Sequence, residues 1–585
     1  LSADVERSLK PQVFHNPLKF DTVLFDKFQR WVFQHIDELL PGMRKSVRGA
    51  SFQAWNERPT FTKSQRFKQA KMFEHLKANG FAELGMMTQK EMHTKIESLM
   101  KSGAADDCRE SVEKLAPRAI QGAKTDFNVL VAPWIYDFSK KLAQCWNIGN
   151  ADGPVYTSGA DNASIGKFVH NATRRLPGHA ILEGDFARFD TTVHRRVQAL
   201  EIAIYEWCGA PAHVLALLRA NIKTVGGDKW KNKYSVDGTR HSGDPNTSCG
   251  NSLIQALALL FSMACHDQER SKSSVLRSPR DLIEAHDINL LVLGDDNHCV
   301  AEEMFLRSFP SVGYLQRLGF ELEPKLHVGP NAVWRSTFCS SRFYPCVNEK
   351  KEECLVLGPP IGRVAAKAGY FVNPPENVAP ERLVAGDAQG RMMDSRFVPF
   401  LRAYWARTQQ LTKHVKVDEL RMTKEMRRDH YFKSHTKEKF EASPTTWEMV
   451  NHVYGLTEKD EEKYVELLSH VRSIGVVCDF APLRHCMIVD GVLVDTHNEY
   501  KEEAITDSPS LPERTPDDVV QDYGKECVDV GICAICMAPG CRGNKYTVMP
   551  SGQHGPKGSN ECTHPCYAGS LRADDAAEDD CAMTE

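Results

Sequence analysis

No stretch of this 585-residue chain stays apolar for the roughly 18 residues that a membrane-spanning helix needs; the nearest approach, Ser252 to Cys265, contains Gln255 and runs into charges. No signal-peptide pattern opens the chain and no internal repeat recurs along it. It begins with Leu1 rather than Met, so it is expected to be a piece of a longer product whose missing part could carry an anchor or targeting signal. It also lacks a net charge of either sign, with 73 Lys and Arg against 77 Asp and Glu for a total of −4. Taken whole, that balance argues against a nucleic-acid-binding protein, whose footprint is usually basic. The charge is unevenly spread, however. From residue 487 onward there are 19 acids and 7 bases, a net of −12, which leaves 66 bases and 58 acids, a net of +8, in the first 486 residues. A basic body with an acidic tail is a different object from a neutral globule.

Cysteine spacing is the next absence. Of 18 cysteines, 11 are scattered through the first 486 residues without pattern, as expected of reduced thiols in a cytosolic protein, and seven fall in the last 59. Apolar content of 42% and charged content of 26% are ordinary for a globular protein. The length allows several subdomains of roughly 100–200 residues each.

Helical periodicity is clear over residues 21–40, with Phe28, Trp31, Val32, Phe33, Ile36 and Leu39 at the apolar positions. From Arg44 to Lys77 basic and aromatic residues alternate, among them Arg58, Trp55, Phe61 and Phe67. Such a mixture suits either a solvated helix face or an RNA strand, with charges for phosphates and rings for bases. A strand is expected to start at His179–Leu182, followed by helices over Arg195–Cys208 and Thr247–Cys265. Strands at Asp287–Leu293 and Asn297–Ala301 are joined by a tight turn through Gly294, and Glu302–Leu318 reads as one helix ending at Gly319. Helical patterns at 394–412 and 457–472 follow, and beyond about residue 500 the polar, acidic, Pro/Gly/Ser-rich composition predicts disorder.

Three segments carry chemistry. In Glu183-Gly-Asp-Phe-Ala-Arg-Phe-Asp190, Asp185 closes an apolar strand and Asp190 follows five residues later; a capped loop would look the same. In Ser242-Gly-Asp-Pro-Asn-Thr247-Ser-Cys-Gly-Asn251, turn chemistry opens the long apolar helix. Thr247 and Asn251, at i and i+4, share one helix face, where they could read a hydroxyl or merely cap the helix. In Gly294-Asp295-Asp296, two adjacent aspartates occupy a turn between apolar strands, a costly choice unless a cation offsets their repulsion. Together, Asp185, Asp295 and Asp296 could hold two divalent ions about 3.5–4 Å apart for in-line phosphoryl transfer. Oxygen-only donors suit Mg2+, with Mn2+ able to substitute. Asp190, Thr247 and Asn251 would then lie beside the incoming sugar, whose 2′-hydroxyl both donates and accepts.

In this order and spacing the segments resemble motifs A, B and C of viral RNA-dependent RNA polymerases of positive-strand viruses, in a form similar to tombusvirus- and nodavirus-like enzymes. Lys114-Leu-Ala-Pro-Arg118 resembles the basic fingers motif, which implies that Lys114 and Arg118 cover the triphosphate. Ser242 and Gly243 belong to the motif B match on the sugar side. Leu318 to Lys325 resembles motif D, which implies that Lys325 protonates the leaving pyrophosphate, and Thr337-Phe338-Cys339-Ser340 resembles motif E, the primer grip. Lys229, Lys231 and Arg240 would line the template or nucleotide path, or form an exposed basic loop.

The resemblance implies an α+β right-hand polymerase. Its parts would be an N-terminal extension with fingers at 1–178, and a palm with an antiparallel RRM-like sheet at 179–348 carrying a fingers insertion at about 209–240. A helical thumb at 349–486 and a largely disordered acidic, Cys-rich tail at 487–585 would complete it. Implied partners are RNA template and product, NTPs and other viral replication proteins. The implied place is the host cytoplasm at membrane-bound replication complexes, with any membrane contact made through the missing N-terminal part. In the tail, Cys533, Cys536, Cys541, His554, Cys562, His564 and Cys566 are candidate Zn2+ ligands. Two rivals remain. A reverse transcriptase would normally carry an aromatic residue in place of Asp190, and a catalytically silent RNA-binding replication protein should have lost a metal ligand.

Overall fold

The structure, a computed structural model, describes residues 20–80, 84–95, 118–149, 152–227, 233–369, 371, 378–415, 438–474 and 480–492. Lys114, Lys229, Lys231 and all seven tail Cys and His candidates lie outside the described residues.

The chain is a mixed α/β protein. Its strands run β1 Lys90–Lys95, β2 Arg118–Ala123, β3 Val155–Tyr156, β4 His179–Phe186, β5 Lys223–Gly227, β6 Lys233–Asp237, β7 Asn289–Leu293 and β8 Asp296–Glu302. They continue with β9 Leu322–Val328, β10 Thr337–Phe338, β11 Ser341–Asn348, β12 Glu353–Gly358 and β13 Phe440–Ala442. They form three sheets, ordered β2-β1-β5-β6, β3-β7-β8-β4-β9, and β10-β11-β12 with β13 on β11. In the five-stranded central sheet β7, β8, β4 and β9 pair antiparallel, and β3 adds a parallel edge. Helices cross between β4 and β7 and again between β8 and β9.

The helix Thr247–Ser271 supports this sheet. Contrary to the sequence expectation, it is by length and composition long and apolar enough to cross a membrane, but almost all of it is buried inside the protein. It is buried on every side, as a core helix is, and packs behind β7. The predicted N-terminal helix appears as Thr22–Gln34 and Ile36–Leu39, interrupted at His35. Its Phe28 and Trp31 rings pack on Phe261 of the long helix at centroid distances of 5.2 and 5.7 Å. Each such fully buried ring contributes about 1.5–3 kcal/mol.

Several expectations need correction. The single helix over 302–318 is two, Glu303–Ser308 and Ser311–Leu318, because Pro310 has no N–H to continue the ladder. Gly319 does end the second, with φ +97. The pattern at 394–412 straddles a break: helix Pro380–Ser395 stops, Phe400 takes φ +64 after Pro399, and the chain resumes as Leu401–Leu411. The aromatics of the 44–77 stretch largely face inward rather than toward an RNA. Trp55 and Phe61 are buried, and the Arg58 guanidinium lies over the Phe61 and Tyr136 rings at 4.4 and 4.8 Å. Burial lowers the pKa of Arg58 to about 10. Phe67, by contrast, is 70% exposed.

The residue 486/487 division drawn from charge falls inside the helix Ala481–Val489. Asp490, counted with the acidic tail, is buried in the C-terminal core. Its carboxylate accepts from the Gly362 N–H (2.7 Å), Arg342 Nη2 (3.0 Å) and the Tyr454 hydroxyl (3.1 Å).

Candidate active site

The three carboxylates converge through strand register. Gly184 on β4 pairs with Asn297 on β8, so Asp185 and Asp296 come one step beyond the last pair of that ladder. Leu293 pairs with Asp296, which makes Gly294-Asp295 a two-residue hairpin loop, and Gly294 supplies the φ of +65 it needs. The backbone of Gly184 also has to be bare, since a Cβ there would sit 2.6 Å from Asn297 Oδ1 and 2.7 Å from Leu322 Cδ1.

Polar side chains of the long helix clamp the loop from behind. The Gln255 amide donates to the Gly294 and Asp296 carbonyls at 2.7 and 2.9 Å, and Ser252 Oγ accepts from the Gly294 N–H at 2.7 Å. Asn297 Nδ2 joins Gly184 O to Gln255 Oε1, at 3.2 Å each. Gln255, which in the sequence is only a polar break in an apolar run, is the centre of this clamp.

Asp185 is exposed, while Asp295 and Asp296 are half-buried. Burial, then the negative charges of Asp295 and Asp185, push the Asp296 carboxyl up to about 7; a hydrogen bond from Cys339 opposes them. A cluster of carboxylates that raises a member's proton affinity is chemically suited to a hard dication. The donor set therefore fits a hard divalent cation, although among the described residues no three His, Cys, Asp or Glu are already gathered at ligand distance.

Next to Ser252 on the long helix, Asn251 Nδ2 donates to Asp190 Oδ1 at 2.9 Å, joining two of the residues singled out for the sugar. Thr247 is half-buried, and its hydroxyl donates to the His241 and Asp244 carbonyls at 2.7 and 2.9 Å. The Ser242-Gly243 loop docks on the strand that begins at Arg118: Ser242 Oγ accepts from Gln121 N (3.3 Å) and Gly243 N donates to Gln121 O (3.2 Å). A Cβ on Gly243 would meet that carbonyl at 2.5 Å, so the approach depends on glycine. Asp244 in the same loop is buried and ion-paired with Lys90 of β1, and it also accepts from Asn221 Nδ2 at 2.6 Å. Burial alone would raise the Asp244 pKa, but Lys90 and His241 hold it well below the usual carboxylate range.

Two expectations shift here. Arg240 is no exposed basic loop residue and lines no open path: its side chain is 4% exposed, paired with Glu201. Phe338 is 2% exposed and packs into the core rather than toward a nucleic acid. It precedes the turn at Cys339 and Ser340, both with positive φ (50 and 57). Lys325, on β9 directly opposite Glu183, is 64% exposed with its ammonium 3.8 Å from that carboxylate.

Glu183 itself went unassigned by sequence reasoning. It takes hydrogen bonds from His327 Nε2 (3.1 Å), Thr337 N (2.9 Å) and the Thr337 hydroxyl (2.5 Å). Burial raises its pKa, but these bonds outweigh that and bring it down to about 2. Glu183 thereby ties β4 to the β10–β11 hairpin. No local signal marks this role, because Thr337 is 154 residues away.

Comparison with known proteins agrees with this geometry. Residues 107–276 match the family model described as viral RNA dependent RNA polymerase. Among curated proteins, the RNA-directed RNA polymerase of Pothos latent virus (isolate Pigeonpea/India) is 29% identical over 159 residues, 26% of this chain and 21% of the relative. That of Melon necrotic spot virus is 31% identical over 148 residues (24% and 18%), and that of Carnation mottle virus 27% over 150 residues (24% and 19%). The chain thus spans about a fifth of the length of the curated relatives it matches. Through residues 107–276, which hold Asp185, Asp190 and the Ser242–Asn251 segment, this chain is similar to the viral RNA-dependent RNA polymerases.

Proposed function

We propose that the chain catalyses template-directed RNA synthesis, adding ribonucleotides to a 3′-hydroxyl end of a viral RNA. The observation that carries this reading is the Asn251–Asp190 hydrogen bond, one residue from Ser252, whose hydroxyl holds the Asp295–Asp296 loop at Gly294. The Asn251–Asp190 pair offers a donor and an acceptor to a ribose 2′-hydroxyl, and the Asp185, Asp295 and Asp296 carboxylates suit phosphoryl transfer. In this reading the five-stranded sheet is the palm, the β2-β1-β5-β6 sheet belongs to the fingers, and the helices beyond β12 form the thumb.

Asp185, Asp295 and Asp296 would hold Mg2+ or Mn2+, which supplies charge neutralisation at the phosphates and a more acidic 3′-hydroxyl. The chain's own residues do the rest. Gln255, Ser252 and Asn297 keep the carboxylate loop rigid, so little reorganisation accompanies reaction. Asp190 and Asn251 orient the sugar. The Ser242–Gly243 loop lies against Gln121 and Gly122 of the strand that opens at Arg118, and Arg118 is the proposed cation on the triphosphate. Lys325, exposed and on the strand beside β4, is the proposed proton donor to pyrophosphate. Other viral replication proteins and host membranes are the partners this reading calls for, with RNA and NTPs as substrates.

Two other readings make different predictions. A reverse-transcriptase-like enzyme has no use for the Asp190–Asn251 pair, and a silent RNA-binding protein has no use for three intact carboxylates. The test is purified protein with template RNA, Mg2+ or Mn2+ and labelled NTPs. RNA product is expected from the wild type, while Asp295→Asn abolishes incorporation and still binds RNA. Continued synthesis by Asp295→Asn would exclude this site.

A further inference from the structure

We infer that Arg240, held by Glu201, is a positioning residue that fixes how Asn251 presents itself to the sugar, and so sets the preference for ribo- over deoxyribonucleotides. This inference rests on the polymerase reading above and names a control on its sugar-reading pair. Arg240 Nε donates to Asn251 Oδ1 at 2.9 Å. A guanidinium has donors only, so the Asn251 oxygen must face it. The Asn251 NH2 is then turned the other way, toward Asp190 Oδ1 at 2.9 Å. Without Arg240 the amide would be held at its NH2 end alone, by Asp190, and its plane would be free to swing at the sugar. The same residue's backbone N–H donates to the Asp190 carbonyl at 2.7 Å, so one residue tethers both sugar readers.

Arg240 is itself locked. Its Nη2 bonds Glu201 Oε2 at 2.5 Å, and the two side chains are 4% and 2% exposed. Burial would lower the Arg240 pKa, but the Glu201 charge more than offsets it, so the guanidinium stays charged. The other Glu201 oxygen accepts from the Tyr205 hydroxyl (2.5 Å) and Asn246 Nδ2 (2.9 Å), which completes the carboxylate's partners without a second cation. Gly250, the residue before Asn251, leaves the room this pair needs. A Cβ there would lie 2.2 Å from Glu201 Oε1 and 2.9 Å from Arg240 Nη2. Thr239, just before Arg240, is held at φ +149, a conformation that β-branched residues avoid, with its carbonyl fastened by Gln198 Nε2 at 2.6 Å. The backbone is constrained at the point where the guanidinium must be aimed.

The experiment uses the full chain and compares kcat/KM for an NTP with that for the matching dNTP, with melting temperature as a folding control. Arg240→Lys keeps the charge for Glu201 but has no fork to reach Asn251 as well. Gly250→Ala pushes the pair aside without altering an ionisable group. In both, the NTP/dNTP ratio is expected to fall about tenfold or more, the scale of one charge-assisted hydrogen bond, through loss on the NTP arm. A merely structural role would lower both substrates together and leave the ratio unchanged, which would overturn the inference. If Asn251→Ala lowers the ratio while Arg240→Lys and Gly250→Ala keep the wild-type value, the inference fails and the polymerase reading stands. If folded wild-type protein makes no RNA from NTPs, the polymerase reading fails and takes the inference with it.

Discussion

Asp490 permits a quantitative test of where the folded body stops. Its side chain is 1% exposed, and its partner Arg342 is 10% exposed. Asp490→Ala removes the acceptor for Arg342, for the Gly362 N–H and for the Tyr454 hydroxyl in one step. The guanidinium is then buried without a counter-charge, which costs about 3–5 kcal/mol. Asp490→Asn keeps an oxygen for the Gly362 N–H but loses the charge, so its expected loss is smaller, on the order of 2 kcal/mol. Replacing the pair together, Asp490→Leu with Arg342→Met, is expected to recover only the part due to the unpaired guanidinium, because the Gly362 N–H and the Tyr454 hydroxyl still lack their acceptor. Equilibrium urea unfolding followed by tryptophan fluorescence reads these differences, because Trp405 lies in the same core as Tyr454. Ending the chain after 492 is expected to preserve the C-terminal transition, whereas ending it after 486 removes Asp490 and part of the helix Ala481–Val489 and lowers it. An Asp490→Ala protein within about 1 kcal/mol of wild type would refute the reasoning, because that is the range of exposed ion pairs.

Asp296 leads to a pH prediction. Its folded carboxyl titrates at about 7 against an ordinary 3.8, so its contribution to stability is fully present below 3.8 and is lost as pH rises through 7. In EDTA, Asp296→Asn should therefore gain on wild type between pH 5 and pH 8, by roughly 2–3 kcal/mol in urea unfolding, and a pH-independent difference would contradict it. Gly184→Ala is expected to cost about 1–3 kcal/mol through overpacking against Asn297 and to reduce nucleotide incorporation with it; wild-type incorporation would show that the Asn297 contact does not govern the carboxylate loop. Deleting residues 500–585 should leave primer extension on a short template measurable, and its loss would make the tail part of the enzyme.

Elements set by short-range pattern were legible in the sequence. The helix Arg195–Cys208 appears with the expected bounds, and the turn at Gly294 lies where apolar runs meet a glycine and two acids. Thr247 and Asn251 fall on one helix face because an α-helix brings i and i+4 together whatever surrounds it. Less legible were places where one residue interrupts a period, as Pro310 does, and places where charge misled. Arg240 looked like a surface cation and Asp490 like tail acidity, because composition records a charge and not its counter-charge.

The sequence by itself determined which carboxylates, amides and hydroxyls are available and that each stands at a strand end, turn or helix start, since these follow from spacing over a few residues. Only the tertiary structure decided who faces whom. Glu201 meets Arg240 across 39 positions, Arg342 meets Asp490 across 148, and Glu183 meets Thr337 across 154. Burial makes such pairings count: inside the protein a charge or amide must find a partner, and chain folding, not local spacing, brings that partner within reach.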